Sequence, residues 1–302
     1  MRIALLILAF LLLMASGLRA QSNEDEFNEL DVVREKLVSQ AKMYKFEAVS
    51  TSGQPADLSL HDESLLNWTN PIRGADLGIT MLWKDEGLPL AFVTLFTAGG
   101  STRHSLTSLS EFPLRASYDG KSTWTPTPGI VWRQWKSREV SVAKTEALRM
   151  TQMKEIAGQF EFKLHPKIGG KLLTLLPEPL HRFSSKKHGA PDGALFAFAE
   201  GNDAEVLLIL RADETSRTWK YACARCGWFE MAGTVKGQPV WKVNSVKVAK
   251  AKPGPQPYMD SPYLSGSPPI TEANSVAFDD QQAIGGIVEP AKQRGITALN
   301  GT

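Results

Sequence analysis

Two stretches of this chain, LHDESLLNWTNPIRGADLGITMLW (60–83) and LLPEPLHRFSSKKHGAPDGALFAF (175–198), align without a gap, 115 positions apart. Leu60/Leu175, Glu63/Glu178, Leu65/Leu180, Gly74/Gly189, Ala75/Ala190 and Gly78/Gly193 are identical, and Trp68/Phe183 and Trp83/Phe198 match as aromatics. The same offset sets FVTL (92–95) over LLIL (207–210). With small shifts, FEA (46–48) meets FEF (160–162), and Gly120 and Trp124 meet Gly237 and Trp241. Self-similarity at a fixed spacing restricts the fold more than any single motif, because both segments must take the same shape. It implies a tandem duplication.

Each copy opens on a helical pattern, roughly 24–44 in the first and 141–158 in the second. Val142, Leu148, Met153 and Ile156 recur at roughly helical spacings between charged residues, and Gly158 is a stop signal. Short alternating strands follow at 160–165, 171–176, 193–199, 205–212, 218–229 and 239–248, with turn residues in EGND, DETS and VKGQP. A helix followed by a meander predicts an α+β fold. The expectation is two tandem copies of a helix packed on a curved antiparallel sheet, cystatin-like or NTF2-like by analogy, and such an analogy carries no function. The copies span 21–130 and 131–250, joined near the Pro- and Gly-broken stretch WTPTPGIVWRQWK. From 251 to 302 the chain is rich in Pro, Gly and Ser, which predicts a disordered tail.

The first twenty residues combine Arg2, an apolar run from Ile3 to Met14 and small residues up to Ala20. This is the pattern of a secretory signal peptide cleaved near Ala20. The apolar run is too short to span a bilayer of ~30 Å, and no later run is longer. The expectation is an exported protein, periplasmic, cell-surface or secreted, with no transmembrane segment in the mature chain. A formal net charge of +2 over 302 residues, together with export, argues against a nucleic-acid partner.

Both cysteines, Cys223 and Cys226, lie in YACARCGW. A thioredoxin-type pair needs a helix N-terminus, and here the flanks are aromatic and strand-like. In a regular strand, positions three apart face opposite sides, so the thiols neither bridge nor share a metal. A zinc site would need two further ligands. A local disulfide would require a bulge at Ala224–Arg225. The first copy carries Ser108 and Glu111 at the matching positions, so the thiols are not part of the shared design.

Five histidines are scattered along the chain. His181 and His188 lie near Asp192, but the spacing matches no helix-face or strand-face ligand pair. Ser101 precedes His104 in TAGGSTRH, which reads as a turn, and Glu63 and Glu178 recur as turn or ion-pair residues. No nucleophile elbow, zinc-protease, phosphate-loop or dinucleotide motif occurs. Asn67-Trp68-Thr69 is a glycosylation sequon that matters only in a glycosylating pathway. Trp124, Trp132 and Trp135 cluster at the junction and form the candidate binding surface; Trp219, Trp228 and Trp241 belong to the last sheet.

LNWTNPIRG, PDGALFAF and EVLLILRA resemble segments of an uncharacterised family of exported bacterial proteins, over about 46–245. The resemblance implies export and shared architecture and carries over no active-site residue. The functional expectation is an exported non-catalytic binding or envelope-associated protein, with no cofactor or metal and with cell-envelope components as candidate partners. The alternative is a hydrolase of envelope polymers with its site in the cleft between the domains.

Overall fold

Alternation of apolar and polar residues turns most of the described residues into strands, and tight turns reverse them. The computed structural model describes residues 30–49, 55–70, 74–98, 101–135, 141–166, 169–245 and 258–263. The first strands are β1 (Tyr44–Val49), β2 (Pro55–Asp57), β3 (Ser59–Leu60), β4 (Leu66–Asn70) and β5 (Ala75–Asp85). Then come β6 (Leu88–Ala98), β7 (Ser101–Ser108), β8 (Leu114–Tyr118), β9 (Lys121–Trp124) and β10 (Arg133–Gln134). The second series is β11 (Phe160–Leu164), β12 (Lys171–Leu172), β13 (Thr174–Leu175), β14 (His181–Ser185) and β15 (Ala190–Glu200). It closes with β16 (Asp203–Ala212), β17 (Trp219–Arg225), β18 (Met231–Val235), β19 (Gln238–Val243) and β20 (Tyr258–Tyr263). Asp119–Gly120 and Lys236–Gly237 join their hairpins with both residues at positive φ, the geometry that a two-residue turn between twisted strands requires.

The strands form four antiparallel sheets. Two have four strands, in the orders β2-β1-β8-β9 and β12-β11-β18-β19. Two have six, in the orders β20-β7-β6-β5-β3 with β4 on β5, and β10-β17-β16-β15-β13 with β14 on β15. The second order in each kind is the first displaced by ten strands, except at one edge. There β10 pairs with β17, while β20 crosses back to pair with β7. Leu58 N donates to Phe46 O at 2.8 Å and His61 N to Leu82 O at 2.7 Å, so the run from β2 to β3 passes from one sheet to its neighbour. Leu173 and Leu176 repeat this between β12 and β13.

The second six-stranded sheet is buried on both faces. Leu195, Ala197, Leu207, Ile209, Ala222 and Ala224 face a core shared with the first sheets. Phe196, Phe198, Leu208, Leu210, Tyr221 and Cys223 face a second core. This explains the nearly unbroken apolar runs of β15 and β16. Helix α1 covers residues 30–41, with Leu37 and Ala41 in the first core. Helix α2 (Glu146–Ala157) starts at Thr145, whose side chain accepts from Leu148 N, and buries Met153, Ile156 and Ala157 in the second.

The expected α+β class is therefore corrected. Strands account for 55% of the structure and helix for 13%, in four antiparallel sheets with two helices among the described residues, rather than a helix on one curved sheet in two tandem copies. Local periodicity distinguishes strand from helix but does not specify how many sheets the strands divide into. The expected signal peptide, residues 1–20, lies outside the described residues. Within the segment 251–302, residues Tyr258–Tyr263 form β20, and the rest of it also lies outside. No helix among the described residues is long and apolar enough to cross a membrane.

Candidate functional site

The two cysteines sit at the end of β17, where the register runs evenly through Leu208↔Cys223, Leu207↔Ala224 and Val206↔Arg225. No bulge turns one thiol toward the other. Cys223 packs in the second core and Cys226 in the first, on opposite sides of the sheet, and both are free. Burial pushes both thiols well above their ordinary range; Glu205 and Asp203 push Cys226 further. A thiol held protonated is neither a nucleophile nor a metal ligand.

The histidines separate into different environments. His181 faces His61, not His188, with ring centroids 4.9 Å apart, and Lys84 Nζ lies 3.2 Å from His61 Nδ1. His188 Nε2 lies 2.9 Å from Asp85 Oδ2, and Lys187 reaches the same carboxylate at 2.8 Å. Asp192 is held by Arg149 Nε and Arg182 Nη2, both at 2.6 Å. His104 belongs to β7 rather than to a turn; it is fully buried, with Tyr44 Oη 2.8 Å from its Nδ1. The side chain of Ser101 lies outside the described residues. Glu178 is exposed and pairs with Lys154 at 2.6 Å; Glu63 is exposed. No metal-binding group of three or more such side chains occurs among the described residues.

The junction tryptophans do not share a surface. Trp124 is 2% exposed and belongs to the first core. The Arg211 guanidinium lies over Trp132, its Cζ 4.1 Å from the ring centroid. Trp135 packs on Phe160 and Tyr221, with its Nε1 buried and unpartnered among the described residues. Trp124, at the end of β9, and Trp132 pack on the first core, whereas Trp135 packs on the second.

Trp135 does, however, line a groove. It runs between the β10–β17 edge of one six-stranded sheet and β19, the edge of its four-stranded neighbour. Cavities of about 340 Å3 and 680 Å3 meet there, sharing Arg133, Tyr221 and Val240. Residues 127–131 form one wall. Gly129 N donates to Ser110 O at 2.8 Å, and a Cβ on Gly129 would strike the Ser108 carbonyl, so only glycine lets this wall lie so close. Trp135, Tyr221 and Trp241 supply aromatic surface, and Ile130, Val131 and Val240 aliphatic surface. Arg133, Lys236 and Lys242 supply positive charge. Lys242 approaches Glu230 at 3.9 Å, whereas Arg133 and Lys236 have no carboxylate partner among the described residues. Arg225 also lines the groove, but its guanidinium is committed to three backbone carbonyls. No carboxylate and no histidine is among the lining residues described. Burial raises the Tyr221 phenol above its ordinary value and Cys223 adds to this, while Arg133 opposes it.

Of these residues, sequence reasoning identified Trp135 and placed Trp241 in the last sheet. The three cations come from β10, from the turn before β19 and from β19 itself, so no local motif unites them. Comparison of the chain with protein-family models, with curated proteins and with solved structures gives no match.

Proposed function

We propose that this is an exported, non-catalytic binding protein whose groove takes the apolar part of an amphipathic anion, such as a fatty acid or an anionic lipid. The observation that carries this reading is the composition of the groove: aromatic and aliphatic walls, three cations and no described carboxylate. Cavities of this size are in the ~300–1,000 Å3 range of small-molecule sites. Apolar walls reward burial of a hydrocarbon chain by roughly 0.8 kcal/mol per CH2. Cations at the edge of a low-dielectric groove favour an anionic head. The lining has no described carboxylate or histidine, the groups most often used as general acid and base in hydrolysis, which favours binding over the envelope-hydrolase reading. Export rests on the N-terminal pattern alone.

The test is a titration of the full chain with laurate and with dodecanol, by displacement of a fluorescent probe. Laurate binding more tightly, with an advantage that shrinks as salt rises, is the expected result. Equal affinities, or binding of neither, would refute the reading.

A further inference from the structure

A second opening, of about 400 Å3, lies at one end of the interface between the two six-stranded sheets and is separate from the groove. Trp68 and Phe96 line it from the first of these sheets, and Asp203 and Glu205 from the second. Asn70 Nδ2 donates to Asp203 Oδ2 at 3.1 Å across the interface. The loop after β17 adds Trp228 and Phe229.

Trp228 is 43% exposed, yet it stacks on Phe229 with centroids 4.3 Å apart and planes at 28°. Its loop is anchored from inside. Arg225, only 5% exposed, donates to the carbonyls of Gly227, Phe229 and Asn244, each at 2.8 Å. A Cβ on Gly227 would overlap the Glu205 carboxylate, so the loop sits directly on that acid. Such charge-assisted bonds keep the indole presented instead of letting it fold down. Trp68 lies flat over Gly78, against Phe96 at 5.5 Å, and its Nε1 is a buried donor with no partner among the described residues.

The matching place in the other six-stranded sheet is filled by the chain itself. Arg211 faces Gly193 across the strands as Phe96 faces Gly78. There Trp132 covers Arg211, and Glu111 approaches its guanidinium at 4.0 Å. The opening beside Trp228 combines an exposed aromatic face with both donor and acceptor side chains. Arg103, Ser105 and Thr94 bring donor groups to its lining and Asp203 brings acceptor oxygens. Asp203, Glu205 and Arg103, set among apolar walls, disfavour a purely fatty chain, and Arg103 disfavours a simple cation. A ring with one apolar face and several hydroxyls satisfies both sets.

We propose that this opening is a saccharide site, in which Trp228 stacks on a sugar ring while Asp203 and Arg103 hold its hydroxyls. The test is calorimetric titration of the full chain with chitotetraose, cellotetraose and maltotetraose, and with choline as a cationic probe. At least one saccharide is expected to bind. Trp228→Ala is expected to weaken it about tenfold, with the thermal midpoint unchanged because the ring is exposed. Arg103→Ala should weaken it as well, whereas Arg133→Ala in the groove should not. Binding of no saccharide, full affinity in Trp228→Ala, or binding of choline alone would overturn the proposal.

Discussion

His61 and His181 meet edge to face, 4.9 Å between centroids, at a point where β14 and the residue following β3 come together. Lys84 stands beside them. Burial, then repulsion from His61 and Lys84, lowers His181 from its ordinary 6.5 to about 4, and burial lowers His104 to about 4. A histidine whose folded pKa is depressed is protonated first in the unfolded chain. The stability it contributes is complete above about pH 6.5 and is lost as pH falls toward about 4. For fully buried His104 the loss is on the order of 3 kcal/mol. Urea midpoints should therefore fall steadily from pH 7 to pH 4.5, and His104→Gln should flatten part of that slope. A midpoint constant over this range would contradict the assignment.

A second acid step belongs to the carboxylates. Burial alone would raise Asp192, but hydrogen bonds from Arg182 and Arg149 outweigh it and hold the group below its ordinary value. Asp85 is likewise lowered against burial by Lys187 and His188. Their contribution persists above the unfolded value of about 4 and is lost as pH falls below it. Asp192 is 3% exposed, so Asp192→Ala leaves two arginines facing a vacated site. A loss of about 3–5 kcal/mol in denaturant unfolding is expected. A loss below about 1 kcal/mol would show that the cluster is no more than a surface ion pair.

Two glycines serve aromatic rings. A Cβ on Gly78 would enter the Trp68 indole, and one on Gly193 would enter the Phe183 ring and lie 2.7 Å from the Leu210 carbonyl. Each alanine variant should lose roughly 1–3 kcal/mol, Gly193→Ala more, because a backbone atom cannot yield as a side chain can. At Gly74 and Gly189 the space is open but φ is +69° and +58°, so alanine costs the ~1–2 kcal/mol of left-handed backbone. Chemical denaturation of the four variants gives the ranking. Equal stability of Gly193→Ala and the parent would disprove the close approach.

Cys223 and Cys226 should resist iodoacetamide in the native protein at pH 8 and react fully in urea. Intact mass with and without reductant should be the same. A mass showing one intramolecular bridge, or rapid native alkylation, would contradict the opposite-face placement.

The long strands were legible because they are periodic and bounded by turns. The expected 193–199, 205–212 and 218–229 lie over Ala190–Glu200, Asp203–Ala212 and, for its first part, Trp219–Arg225. Helix α2 was legible from Met153 and Ile156, which face the core, and from Gly158, which caps it, although Val142 precedes the helix and Leu148 is exposed. The edge strands were not. Two-residue β10 has no pattern to read, and β20 carries Pro262 inside a Pro-rich stretch. Their pairing is fixed by which edges remain open after the long strands assemble. The groove was hidden for the same reason: Arg133, Lys236 and Lys242 converge only once those edges face each other.

The central claim is that these cations hold the head of an anionic amphiphile. Laurate affinity of the full chain should be compared with that of Arg133→Glu/Lys242→Glu, with Lys42→Glu/Lys45→Glu, both exposed and outside the groove, as a charge-matched control. The account predicts a loss of about tenfold or more in the groove variant, dodecanol affinity unchanged, and full laurate affinity in the control. Equal loss in both variants, or none in either, would contradict it.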